Sequence, residues 1–319
     1  MRLKLVPQKT NFNFFSKARL SLGISATLLS LSFISLIFQG LNFGIDFLGG
    51  TTIRTQSAQA VDVGLYRSAL GSLELGDVTI SEVFDPTFED NQNVAMIRIQ
   101  QQKSEEISVS DVTNGSLAAL KALDPKIRFM SVENVGPKVS GELVQTAILA
   151  VVLAIGAVLV YIWLRFEWQF AQGAVAALIH DVLLTIGVFS VLQIKFDLAI
   201  IAALLTIVGY SLNDTVVVFD RVRENLRKYK KRPLEDVLNL SINETLNRTV
   251  TTSLTTLLAL IALFILGGDV IRGFVFAMIW GVIIGTYSSV FVASSTLHWL
   301  GVKRDWSKPN SEAGTQVPQ

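Results

Sequence analysis

The chain has 319 residues, half of them apolar, and a net charge of +1. It has no cysteine, which excludes disulfides and thiol chemistry. Positive mean hydropathy and an uneven spread of charge point to a membrane protein rather than one or two soluble domains.

From the N-terminus, Arg2, Lys4, Lys9, Lys17 and Arg19 lead into a first apolar span at 19–38. A cleaved signal peptide is the competing reading. The long basic leader and the lack of an A-x-A-like site in "SLIFQGLNFG" favour a retained helix.

Residues 40–140 differ in character. From Leu41 to Gly141 acids outnumber bases 13 to 8, against 13 to 19 in the rest of the chain. Alternation predicts strands at "TTIRTQ" (51–56), "DVTISEVF" (77–84), "NVAMIRIQ" (93–100) and "KIRFMSVENV" (126–135). Helical periodicity marks "AVDVGLYRSALGSL" (60–73) and "SEEISVSDVTNGSLAALKAL" (104–123), the latter with Leu117, Leu120 and Leu123 on one face. The order βαββαβ is the ferredoxin-like arrangement. The stretch contains no histidine, metal-ligand cluster or Gly-rich phosphate loop, so a binding or mechanical role is expected.

Five further spans follow at 143–164, 170–192, 198–220, 247–266 and 273–296. The fifth of the six is the most polar, with Thr249, Thr251, Thr252, Ser253, Thr255 and Thr256 in its first half; such hydroxyls can bond back to helix carbonyls. Arg165, the run "RVRENLRKYKKRP" (221–233) with seven cations and one acid, and Lys303, Arg304 and Lys308 assign their segments to the cytoplasm. The links "QIKFD" (193–197) and "GGDVIRG" (267–273) belong to the opposite side. The expected divisions are 1–39, cytoplasmic N-terminus and first helix; 40–140, periplasmic ferredoxin-like domain; 141–298, the remaining five membrane helices; and 299–319, a cytoplasmic tail. Both termini then lie inside.

Ionisable residues within the spans are the candidate functional groups, because a charge in hydrocarbon costs about 2.5–3.5 kcal/mol even on the lenient insertion scale. Asp214 lies seven residues before Arg221, and Arg248 opens the fifth span at similar depth, so the two can be neighbours in a bundle. A structural ion pair and a working proton site are both open readings. His180 and Asp181 in "LIHDVLL" sit in the third span; an imidazole titrates near neutral pH, while a packed histidine bonded to a carbonyl is the alternative. A membrane enzyme built on His180 and Asp181 would need a nucleophile or metal cluster nearby, and none is visible in the sequence. An exporter of small molecules or lipids with the same membrane architecture is a further alternative.

Six segments together resemble the SecF branch of the SecD/SecF family, within the resistance-nodulation-division superfamily: "GIDFLGGT" (44–51), "VGPKVSGEL" (135–143), "RFEW" (165–168), "AALIHDV" (176–182), "GYSLNDTVVVFDRVREN" (209–225) and "ETLNRTVTTSLTTL" (244–257). The resemblance implies a non-enzymatic, multi-pass inner-membrane subunit with no cofactor, driven by the proton gradient. Its implied partners are SecD, the SecYEG channel, the unfolded preprotein and membrane lipids, with no nucleic acid. It assigns proton coupling to Asp214 and Arg248; His180, Asp181 and Asn213 are candidate supporting polar residues from their place in the spans. Ser140 and Asn247 depart from the commonest family pattern in detail only.

Overall fold

The computed structural model describes residues 10–57, 59–73, 75, 78–86, 88, 92–100 and 109–302. The basic residues Arg2, Lys4, Lys9, Lys303, Arg304 and Lys308 therefore lie outside the described residues, as do Asp77 and residues 104–108 of the second soluble helical segment.

The sheet domain comprises β1 (Gly50–Ser57), α3 (Val63–Gly71), β2 (Val78–Val83), β3 (Asn93–Gln100), α4 (Val109–Leu123) and β4 (Arg128–Val135). The strands lie in the order β2-β3-β1-β4, all neighbours antiparallel, which is the ferredoxin-like topology expected from the sequence. Register places Ile53 opposite both Ile97 and Val132, and Ile97 opposite Ile80. Ile53, Ile80 and Ile97 form a core with Leu70 of α3 and Leu120 of α4. Asp62 caps α3, its Oδ1 accepting from the Gly64 and Leu65 amides at 2.8 and 3.1 Å. Leu123, placed by periodicity on the covered face, is exposed at the end of α4.

Among the described residues, six helices are long and apolar enough to cross a membrane. They are α1 (Ala18–Phe38), α5 (Pro137–Arg165), α6 (Trp168–Val191), α7 (Leu198–Lys228), α8 (Leu234–Leu266) and a last unit of α9 (Gly268–Ser288), a π turn (Ser289–Ala293) and α10 (Ser294–Leu300). α6 is the most enclosed, touching α1, α5, α7 and α9. α7 and α9 approach closely at Gly281, where a Cβ would collide with the Ile207 side chain, and at Gly285 one turn on, where it would lie 3.2 Å from Ser211 Cβ.

The helices at one end outrun the apolar spans. α7 continues to Lys228 and α8 begins at Leu234, so the basic segment 221–233, expected as a loop, is non-helical only over 229–233. Polar stitching between the helices explains the extension: Arg221 Nε donates to Glu244 Oε2 at 2.6 Å, and Asn225 Nδ2 donates to Ser241 Oγ at 3.0 Å and to Glu244 Oε2 at 2.6 Å.

At the other end, both short links meet the sheet domain, as the alternation of basic and balanced loops requires. After α1 the chain pairs with the α6–α7 link: the Gly44 amide donates to Phe196 O at 2.7 Å and the Phe196 amide to Asn42 O at 2.8 Å. In the helical turn α2 (Ile45–Leu48), Asp46 Oδ2 accepts from the Leu198 amide at 3.0 Å, joining Asp197 in capping α7. Beyond β2, Phe84 exchanges bonds with Asp269: Asp269 N donates to Phe84 O at 2.9 Å, and Phe84 N to Asp269 Oδ2 at 2.6 Å. The turn from α2 into β1 uses Gly49 and Gly50 at φ +76° and +134°, conformations that only glycine adopts without strain.

Candidate functional site

The polar interior of the bundle begins with the helices' own hydroxyls. In the threonine-rich half of α8, Thr252 bonds to Arg248 O at 2.7 Å, Thr255 to Thr251 O at 3.0 Å and Thr256 to Thr252 O at 2.9 Å. These bonds satisfy the side chains within the helix and let so polar a segment remain helical at membrane depth. Thr249 does otherwise: its hydroxyl donates to Asp214 Oδ1 at 2.6 Å.

Asp214, on α7, is 8% exposed. Its second oxygen accepts from Ser289 Oγ, the first residue of the π turn, at 2.5 Å. Arg248 is close enough to exert an electrostatic pull on Asp214, but no salt bridge joins them among the described residues. The structural ion pair considered from the sequence is therefore not formed. Arg248 is exposed and lines a cavity of about 980 Å³ together with Asn213, Arg221, Glu224 and Glu244. The acid points inward and the arginine outward because Arg248 and Thr249, adjacent on α8, project about 100° apart.

Asp181 on α6 is fully enclosed. Its Oδ2 accepts from Ser211 Oγ of α7 at 2.6 Å and from Ser288 Oγ, the last residue of α9, at 2.7 Å. Its Oδ1 lies 2.9 Å from His180 Nδ1. His180 Nε2 lies 3.1 Å from Ser25 Oγ of α1, Ser25 Oγ lies 2.9 Å from the Tyr287 hydroxyl, and that hydroxyl donates to Ser21 O at 2.6 Å. His180 thus bonds side chains, not the backbone carbonyl considered as an alternative. The order Ser25–His180–Asp181 is that of a hydrolytic triad, and it supplies the nucleophile that the membrane-enzyme reading needed. All three side chains are buried, and Ser25 Oγ lies 2.9 Å from the Tyr287 hydroxyl. Among the described residues no group of three or more His, Cys, Asp or Glu side chains could hold a metal ion.

Sequence reading missed the hydroxyl partners Ser25, Ser211, Ser288 and Ser289, and Tyr287. The signal was the run "TYSSVF" (286–291) in an otherwise apolar span, and a serine three residues before Asp214 on the same helix.

A second charged region lies between the sheet domain and the bundle, where a cavity of about 520 Å³ is lined by residues including Asp46, Arg98, Lys195, Asp197 and Arg272. Burial, with Arg98 beside it, pulls the Lys195 ammonium down from 10.5 to about 8. Burial likewise raises the Asp197 carboxyl.

The model of the SecD/SecF protein export membrane protein C-terminal region matches residues 116–303, and the SecD/SecF GG motif matches residues 34–61, which include Gly49 and Gly50. The chain belongs to the SecD/SecF family of protein export membrane proteins. Within this family it is 60% identical over 315 residues to the protein translocase subunit SecF of Cereibacter sphaeroides, covering 99% of this chain and 97% of that protein. It is 46% identical over 287 residues to the SecF of Magnetococcus marinus, covering 89% and 90%. The crystal structure of SecDF from Thermus thermophilus superposes with a TM-score of 0.81 at 35% identity over 93% of this chain. A structure of SecDF in a super-membrane-facing form superposes with a TM-score of 0.68 at 37% identity. The chain spans 39% of the length of each SecDF chain.

Proposed function

We propose that this chain is a SecF-type subunit of the inner-membrane protein translocase that pairs with a SecD-type subunit and uses the proton gradient to promote late export of unfolded preproteins leaving the SecYEG channel. It is not an enzyme, and a proton gradient takes the place of a cofactor. The sheet domain lies in the periplasm and both termini in the cytoplasm. The clustering of Arg221, Arg223, Arg227 and Lys228 at the end of α7 away from the sheet domain supports that orientation.

The observation that carries the proposal is the setting of Asp214. A buried carboxyl held by hydroxyls is satisfied both as an anion, which accepts from them, and as an acid, which donates to a hydroxyl lone pair. An arginine partner can only donate and would hold the group charged. Asp214 therefore serves as the proton-binding group, and Arg248, beside the wide cavity at the cytoplasmic end, controls how its charge is compensated. Gain or loss of the proton changes what Thr249 of α8 and Ser289 of the π turn bond to, which shifts the packing of those elements on α7. α1 and α5 bracket the sheet domain in the chain and carry the movement to it. Asn213, exposed on α7 at the same depth, faces the partner subunit or the water path.

The test is export into membrane vesicles energised by a proton gradient alone, with Asp214→Asn, Arg248→Met and the double variant. Each single change is expected to abolish gradient-dependent export while preserving membrane insertion and association with the SecD-type subunit. Export at the wild-type level by Asp214→Asn at normal protein levels would refute the proposal.

A further inference from the structure

We propose that Asp181 is a second proton-holding carboxyl of this chain, and that the adjacent hydroxyls of Ser288 and Ser289 couple its charge state to that of Asp214; this rests on the proton-driven reading above.

The two acids are built alike. Each is buried, and its oxygens accept from hydroxyls: Ser211 and Ser288 for Asp181, whose Oδ1 also lies 2.9 Å from His180 Nδ1, and Thr249 and Ser289 for Asp214. A hydroxyl has one hydrogen, and both serines have a second acceptor in reach. Ser288 Oγ lies 3.1 Å from Gly285 O as well as 2.7 Å from Asp181 Oδ2. Ser289 Oγ lies 3.0 Å from Thr286 O as well as 2.5 Å from Asp214 Oδ2. When Asp181 is neutral with its proton on Oδ2, Ser288 turns its hydrogen to Gly285 O and accepts the carboxyl hydrogen through a lone pair. Ser288 and the carboxyl it meets stay satisfied in both states, as a buried group that changes charge requires.

The serines are consecutive and straddle the junction where α9 widens into the π turn. The ladder of helix bonds is irregular there, and such turns concentrate at functional positions. Re-aiming one serine therefore shifts the backbone that aims the other. α7 provides a second tie, since Ser211, which serves Asp181, lies three residues before Asp214.

Asp181 Oδ1 is joined to other helices by the hydrogen-bonded file His180, Ser25 Oγ and Tyr287 OH, with spacings of 2.9, 3.1 and 2.9 Å. Among the described residues the titratable and charged groups facing the two acids are His180 on α6, Tyr287 on α9 and Arg248 on α8; α1 contributes Ser25, and His298 of α10 packs against Phe15 instead. The file passes through Ser25 of α1, the helix that leads into the sheet domain, so Asp181 links the proton site to the element nearest the proposed mechanical output.

The test is infrared difference spectroscopy of the full chain with its SecD-type partner in lipid nanodiscs, following protonated-carboxyl bands against pH. Two bands are expected, one removed by Asp181→Asn and the other by Asp214→Asn. Asp181→Asn should also move the midpoint of the Asp214 band by about one pH unit or more, the scale of coupled buried sites. Ser288→Ala should keep both bands and displace both midpoints. A spectrum unchanged by Asp181→Asn, or an Asp214 midpoint unmoved in both the Asp181→Asn and Ser288→Ala variants, would overturn the inference while leaving the proton-driven reading intact. An Asp214 band that never titrates would overturn both. Should Asp181→Asn fail to fold, Asp181→Glu retains the acid and must displace the Asp181 band; an undisplaced spectrum would also overturn the inference.

Discussion

The interior of the bundle and the helical extension at its end away from the sheet domain hold their acids by opposite means. Inside, Asp181 and Asp214 meet serines, a threonine and an imidazole; beyond the apolar spans, Glu244 meets Arg221 and Asn225, and Arg221 also bonds Glu224 at 2.5 Å. Ion pairs keep charges fixed and stitch α7 to α8. Hydroxyl shells leave the charge free to change. On the proposed function the same helices carry a static end and a responsive middle, and the boundary falls between Glu244 and Thr249 of α8, about 1.4 turns apart.

The contrast can be broken most strongly at Asp181. Asp181→Ala leaves the Ser211 hydroxyl and His180 Nδ1 without their carboxyl partner in a buried site and leaves Ser288 only Gly285 O, and should destabilise the chain by about 2–4 kcal/mol in detergent unfolding. Ser289→Ala removes one hydrogen bond to a buried carboxyl and should cost about 1.5–3 kcal/mol, with proton coupling lost more than stability. Glu244→Gln, at the partly exposed ion-paired end, should cost under about 1 kcal/mol and leave proton coupling intact. If Glu244→Gln proved as damaging to coupling as Ser289→Ala, the division into static and responsive regions would fail.

The smallest effect lies at the sheet-domain junction. The Lys195 pKa of about 8 in the folded chain lies below its ordinary 10.5, so the unfolded chain binds more protons between those values. Stability should therefore rise as pH climbs from about 8 towards 10.5. Comparison with Lys195→Met, which lacks that rise, isolates the contribution. Identical pH profiles for the two proteins would show that the ammonium is not held in the junction.

Much of this architecture was legible because its signals are local. The period of two in 51–56 and 93–100 and the helical period in 60–73 fix the ferredoxin-like order, and hydrocarbon thickness fixes the spans. Asp214, Arg248, His180 and Asp181 stood out because charge is expensive among apolar residues. Their partners did not, since Ser25, Ser211, Ser288 and Ser289 lie on different helices and a lone serine in a membrane span is cheap. Pairing Asp214 with Arg248 followed from depth alone, and depth does not specify which way a side chain turns about its helix. The extension of α7 to Lys228 was likewise hidden, because a charge-rich segment reads as a loop until its partners on α8 are known.

The most direct test of the central claim is proton flux through the chain and its SecD-type partner reconstituted in liposomes under an imposed pH gradient. Asp214→Asn should abolish the flux, whereas Thr249→Ser, which keeps the hydroxyl on the acid, should retain most of it. Flux through Asp214→Asn equal to wild type would contradict the account, because protons would then be passing without the carboxyl that the helices are built around.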